Sequence, residues 1–387
     1  MSDQVSKFGE KTKKWPLRRI IVFSLLVLLV CAGVAGYVFR DSLNLDAVRR
    51  FVRYLNVSGA QEGGQFVFDA GNSNQYADFD GGLAVASGTG LSAYEAGGSE
   101  TVLVQEKMAT PAIRQAGKFV LAFDVGGYAL HEISTSKGSV LDVTSQRPVL
   151  DADLAEDGSL CYSTSESGYK SVLCVYNANQ TLIYRRLSAS QYLPVCAVSR
   201  GAEYVAAAAL GQAEGSYETS IQLFRTDSED LAGEISFGNE LIYDLAFTDE
   251  KTVLAVGEQH ARWFSQTGER LGSYDYSEFY LKDFDFGGSG FLTLVLNMYQ
   301  AGNRYQVVTV GPDGAELGSL DFEEQILDFS AAGKYVAVLT AGQLRIYDST
   351  MHLYAQTDND AGATNVVLRA DGTAILAGSG RGERFVP

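Results

Sequence analysis

Only three histidines and four cysteines occur in a chain of 387 residues. His131, His260 and His352 lie far apart with no ligand spacing around them, so a structural or surface role is expected rather than a metal centre. Cys196 is left unpaired whether or not Cys161 and Cys174 are joined, which argues against a disulfide-built domain. Basic charge is also scarce, with 30 Lys+Arg against 47 Asp+Glu. Ten of those bases fall in residues 1–57. The remainder is therefore strongly acidic and is not expected to bind nucleic acid or anionic lipid heads. No nucleophile elbow, phosphate-binding loop or H-E-x-x-H motif is present. Ser165-Glu166-Ser167-Gly168 reads as a turn, and no glycosidase carboxylate pair stands out among so many acids. The expectation is a non-enzymatic protein without a cofactor. Proline is rare as well: 6 Pro stand against 41 Gly, 20 Phe and 21 Tyr. Abundant glycine with aromatic residues points to short strands and tight turns.

Long apolar runs are confined to one place. From Ile20 to Phe39 no charged residue occurs. At about 1.5 Å per helical residue this run matches the roughly 30 Å apolar core of a bilayer. Trp15 and Tyr37 stand where interfacial aromatics belong. The run is too long for the apolar core of a cleaved signal peptide, and Val30 before Cys31 does not suit a lipoprotein signal. Residues 1–19 are rich in Lys and Arg, so they are expected on the cytoplasmic side, with the C-terminal bulk outside the cell. Residues 40–57 follow as a short amphipathic helix. Leu45, Val48, Val52 and Leu55 are at helical spacing, with Arg49, Arg50 and Arg53 on the other side. Packing on the following domain is the favoured role for this helix, and lying on the outer leaflet is the alternative.

Beyond residue 60 the period changes from helical to that of strands, and a unit recurs. Its clearest part is a strand running into a glycine turn and then an intensely apolar strand. Such pairs begin at Tyr76, Ala112, Leu150, Pro194, Ile242, Leu281, Leu327 and Val366. A third strand ends in Tyr or Phe before a polar turn, as in GQLRIYDSTM from Gly342 and SIQLFRTDSE from Ser220. A more polar fourth strand follows. Four strands in about 40–45 residues is the size of a propeller blade. The central strands of such a blade are buried on both faces, which explains their apolar runs. The eighth unit has GERFV at 382–386 and no fourth strand, while GQFVFDA at 64–70 is a spare strand before the first unit. Pairing the two would close the ring and remove its open edges. The expected fold is all-β: an eight-bladed β-propeller over 64–387 closed by a three-plus-one blade. A seven-bladed ring is the alternative, should the unit at Ala112 be no blade.

These repeats resemble WD40-like and quinoprotein-like propellers, although they lack the repeated Trp-Asp or Trp signatures of those groups. Basic tail, apolar span, short helix and repeats together resemble an uncharacterised family of single-span, membrane-anchored propeller proteins of Firmicutes. The resemblance implies a location and a fold and no activity.

Two constellations follow from the repeat. An Asp recurs in the first strands: Asp78, Asp151, Asp244, Asp283 and Asp328, with second acids at Asp80, Asp153 and Asp285. First strands are innermost, so these acids are expected to ring the channel. Because they follow the repeat, a structural role as acceptors for backbone of the adjacent blade is favoured over a cation-attracting mouth. Separately, a two-residue turn at Ser167-Gly168 would set Cys161 opposite Cys174, where a cross-strand disulfide could form; two buried thiols in apolar strands are the favoured reading, and Cys196 is left unpaired either way. The functional expectation is a protein–protein interaction scaffold in the bacterial cell envelope, recognisable by an apolar or aromatic patch on one disc face. A binder or sensor of a small ligand, cation or glycan in the channel is the second reading, and an envelope lyase or hydrolase the third.

Overall fold

A computed structural model describes residues 65–136, 138–213, 215–300 and 302–387. The span expected at 20–39 and the amphipathic helix expected at 40–57 lie outside these residues. Among the described residues no helix is long and apolar enough to cross a membrane.

Among the described residues, thirty-two strands form eight antiparallel sheets of four. Seven sheets take their strands consecutively, at 75–105, 111–144, 149–188, 192–238, 242–275, 280–322 and 326–358, here blades 1 to 7. Blade 8 takes three strands from 365–385 and its outermost strand, Gln65–Val67, from the other end of the chain. Gln65 pairs with Glu383 and Val67 with Arg381. The expected eight-bladed ring and its three-plus-one closure are therefore both present. The unit at Ala112 is a complete blade, so the seven-bladed alternative falls.

Burial explains the composition. The second strands of blades 2, 6 and 7 (Phe119–Asp124, Leu292–Asn297 and Tyr335–Thr340) are buried at every residue. Outermost strands instead alternate between half-buried and exposed, as in Leu182–Ser188. The core is divided into eight apolar clusters, each joining two adjacent blades. Close approach at the rim has its own signature. A Cβ on Gly272 or Gly318, both in outermost strands, would stand 2.6 or 2.7 Å from the backbone of the next blade's turn, at Pro312 or Thr350.

The seam between blades 8 and 1 is reinforced. Phe66 is fully buried against Leu83, Val85 and Tyr94 of blade 1, meeting the Tyr94 ring edge-on at 6.4 Å. Arg384 of blade 8 donates to the carbonyls of Gly81 and Ala96, at 3.0 and 2.6 Å. Truncating Phe66 attacks this seam directly. Phe66→Ala is expected to cost about 3–5 kcal/mol in urea unfolding, with one cooperative transition shifted to lower denaturant. An unchanged midpoint would show that the first strand does not close the ring.

Candidate functional site

Two regions of the ring carry polar chemistry: the central channel and one disc face. In every blade the chain runs antiparallel, so connections between blades and second-to-third-strand turns share one face. First-to-second and third-to-fourth-strand turns share the other.

The channel cavity measures about 1440 Å³ and opens among the first-to-second-strand turns of several blades. Asp78, Arg114, Asp153, Asp244, Asp285 and Asp328 contribute to its wall. A local irregularity positions four of the acids. The innermost strands of blades 3, 5, 6 and 7 each break register just before Asp151, Asp244, Asp283 and Asp328. Such a bulge re-aims the side chain that follows it. Asp78 differs. It pairs with Leu83 one step from the hairpin turn, with no register break, and its carboxylate meets the guanidinium of Arg369 in blade 8 at 2.8 Å. Asp78 therefore belongs to the closing seam and is not equivalent to the other four.

Several of these acids tie blade to blade. Asp151 accepts from the Cys196 amide at 2.9 Å and Asp153 from the Val198 amide at 2.9 Å, linking blades 3 and 4. Asp285 accepts from the Ala331 amide at 2.7 Å and Asp328 from the Val366 amide at 2.7 Å, linking blades 6, 7 and 8. Asp244 and Asp283 instead fold back on the amides of Leu245 and Phe284. Asp244 also receives Arg114 from blade 2 across the channel at 2.8 Å, and the same guanidinium lies 3.7 Å from Asp151. Blade 2 is thus the blade that supplies a cation where its neighbours supply carboxylates. Asp151, Asp153, Asp285 and Asp328 share one electrostatic condition. Burial pushes Asp151 and Asp328 up to about 7 and Asp153 and Asp285 up to about 6, against the opposing pull of the amides and Arg114.

The three histidines sit in blades 2, 5 and 7. His131 is fully buried, 3.0 Å from Glu106. His260 Nδ1 meets the buried Glu240 at 2.9 Å, where Arg262 also reaches at 3.3 Å. His352 is exposed beside Asp348. Among the described residues no three His, Cys, Asp or Glu side chains stand close enough to hold a metal ion.

Cys161 and Cys174 are not brought together. Glu166 pairs with Tyr169, but the register then slips by one, so Cys161 faces Val175 and Cys174 faces Tyr162. The two thiols point to opposite sides of blade 3, Cys161 toward blade 4 and Cys174 toward blade 2. A one-residue slip turns a side chain to the other face, and the turn residues alone could not reveal it. Cys161 instead contacts the Cys196 thiol, and burial raises the pKa of both. All three are free and buried.

The disc face bearing the inter-blade connections is the second polar region, and the expectation from sequence did not locate it by residue. Seven tyrosines are exposed among the described residues, each at 41 to 56%: Tyr128, Tyr169, Tyr192, Tyr217, Tyr243, Tyr280 and Tyr299. All seven stand at second-to-third-strand turns or at the starts of innermost strands, hence on this one face. They run through blades 2 to 6; the other three blades contribute none. Of the exposed leucines, Leu103, Leu182, Leu187, Leu231, Leu271, Leu317 and Leu353 lie in outermost strands, at the rim, whereas Leu241 and Leu327 lie at the starts of innermost strands, on the tyrosine face. An aromatic arc that breaks the repeat is unlike the acids, which follow it.

Two outcomes test this geometry. Asp328→Ala removes the acceptor of a partly buried amide and is expected to cost about 1–3 kcal/mol. Asp328→Asn keeps an acceptor and removes a proton-binding group. Because the folded carboxyl sits above its unfolded value of about 3.9, its stabilising contribution is present in acid and lost as pH rises through about 7. The melting temperature of Asp328→Asn should therefore gain on the wild type between pH 5 and pH 8; a flat difference would overturn the assignment. For the thiols, a thiol reagent should leave Cys161, Cys174 and Cys196 untouched in the native protein and modify all three after denaturation, as read by mass spectrometry of their peptides.

Comparison with known proteins adds the following. No curated protein matches this sequence. The Dos1 propeller is similar in fold, with a TM-score of 0.56 at 10% identity over 83% of this chain and 94% of that one. So is a eukaryotic initiation factor, with 0.50 at 12% identity over 81% and 84%. Apo AztD from Citrobacter koseri aligns with 0.49 at 10% identity over 80% and 90%. At these identities the likeness concerns the fold alone. Residues 56–376, which take in seven blades and most of the eighth, match the model of one protein family, so the chain belongs to the family of unknown function DUF5711.

Proposed function

We propose that this protein is a non-enzymatic interaction scaffold that docks a partner protein on its tyrosine face. The observation that carries the reading is the confinement of all exposed tyrosines among the described residues to one disc face, over blades 2 to 6. Tyrosine supplies broad apolar contact with a polar tip and little side-chain entropy to lose, which is why it is enriched where proteins bind one another. A second support is rigidity: the face rests on eight interlocked apolar clusters, so a partner meets a preformed surface at small ordering cost.

The setting proposed for this scaffold is the outer side of a bacterial cytoplasmic membrane, with the charge-free run from Ile20 to Phe39 as a retained single span. Gln65 begins the outermost strand of blade 8 on the face opposite the tyrosines. The channel-binding reading is weaker, because the channel acids are engaged with neighbouring amides and with Arg114.

Site-specific photocrosslinking in the native host tests the proposal. A photoreactive residue in place of Tyr217, Tyr243 or Tyr280 should capture one dominant protein. The same residue in place of Asp249 or Asp313, on the opposite face, should not capture it. Equal capture from both faces, or none from the tyrosines, would overturn the docking reading.

A further inference from the structure

Resting on that docking reading, we infer that the tyrosine arc receives a lysine- or arginine-bearing extended segment of its partner. The sector formed by blades 4 to 6 interleaves rings with carboxylates. Exposed Glu218 adjoins Tyr217, and exposed Glu278 is two residues from Tyr280. Glu258 lies near enough to Tyr243 to disfavour its ionisation, after burial the next cause of a raised pKa. An ammonium or guanidinium group over a tyrosine face is attracted by the ring's quadrupole, and an adjacent carboxylate adds to that attraction. The arc already holds one such contact within the chain, Lys170 Nζ at 5.0 Å from the centre of the Tyr192 ring. Lys282, the cation nearest this sector in sequence, lies instead against the buried Tyr305 ring at 5.9 Å.

Shape favours an extended segment. The hairpin Tyr204–Ala213 and Ser216–Arg225 of blade 4 is the longest of the ring, at ten residues a strand. Its pairing continues to Ala213 and Ser216, while the flanking strands stop at Leu210 and Thr219. The tip therefore stands beyond the sheet, carrying Tyr217 on the side of Tyr243, where Glu258 also lies, with Glu218 turned to the other side. A chain laid along this tip can place alternate side chains against rings and carboxylates. Overall charge agrees: the described part of the protein is strongly acidic, which steers cationic partners and suppresses anionic ones.

Fluorescence anisotropy with the purified full-length protein in detergent tests the inference, using a labelled lysine–glycine repeat peptide and its glutamate–glycine counterpart as probes. The lysine peptide should bind and the glutamate peptide should not. The double variant Tyr217→Ala/Tyr243→Ala, checked for folding by circular dichroism, keeps the net charge and should weaken binding about tenfold, the scale of two lost cation–ring contacts. The variant Asp249→Asn/Glu250→Gln, which alters charge on the opposite face, should leave it unchanged. Absence of lysine-peptide binding, or equal weakening by both variants, would overturn the inference. So would a photocrosslinked partner seated on the tyrosines through an acidic or wholly apolar surface, although docking itself would then stand. Self-association in sedimentation that disappears in the tyrosine variant would name a second copy of this chain as the occupant and also overturn it.

Discussion

Each four-stranded sheet of this protein is apolar on both faces, and a sheet apolar on both faces needs a neighbour on each side. A stack of such sheets always leaves two ends wet; only a closed ring leaves none. The eight clusters between blades are eight repetitions of one requirement, and everything else in the molecule is arranged around it. Polar side chains are pushed to the channel, to the two sets of turns and to the rim, because no other position keeps them in contact with water or with a partner. The rim glycines permit the turn of one blade to lie on the outermost strand of the one before, so even the periphery follows the demand for close contact.

The channel acids show how a repeat can be structural without being uniform. Asp151, Asp153, Asp285 and Asp328 reach sideways to the neighbouring blade and satisfy amides that would otherwise face the channel wall. Asp244 reaches inward to a cation sent across the channel from blade 2. Arg114 thus braces blades that are not neighbours. The acids are held together at the centre of the ring by a mixture of backbone amides, one strut and a raised affinity for protons. The tyrosine arc has little of this internal employment beyond Lys170 over Tyr192: its rings are half exposed, and the strands beneath them are already complete.

The architecture was legible in the sequence to an unusual degree because periodicity survives divergence. Alternation of apolar strands with glycine turns set the number of blades, and the unmatched strand at each end of the repeat region foretold the closure at Gln65 and Glu383. What was lost is what depends on single-residue register. The slip between Glu166 and Thr164 separates Cys161 from Cys174, and no property of Ser167-Gly168 announces it. Asp78 looks like its counterparts in sequence, yet its strand lacks the bulge that turns the others. Arg114 left a readable trace, since its strand carries a base where most others carry an acid. The tyrosine face left one too. Its members stand beside polar turns, unlike the tyrosines that end the third strands inside the core, but only the folded ring shows that these positions share one side.

Closure by the two ends of the repeat region has a consequence for the order in which the protein can form. Gly81 and Arg384, which hold one another across the seam, are 303 residues apart. The strand at Gln65–Val67 is made first and its partner at Arg381–Phe385 last. Blades 1 to 7 can stack as they emerge, yet through all that time blade 1 presents an apolar face with nothing upon it. Translation that stalls within blade 8 leaves a nearly complete disc with an open apolar gap. The full-length ring and a slightly shortened one therefore differ little in content and greatly in company: the first hides every blade, and the second is obliged to seek another surface or a quality-control protease.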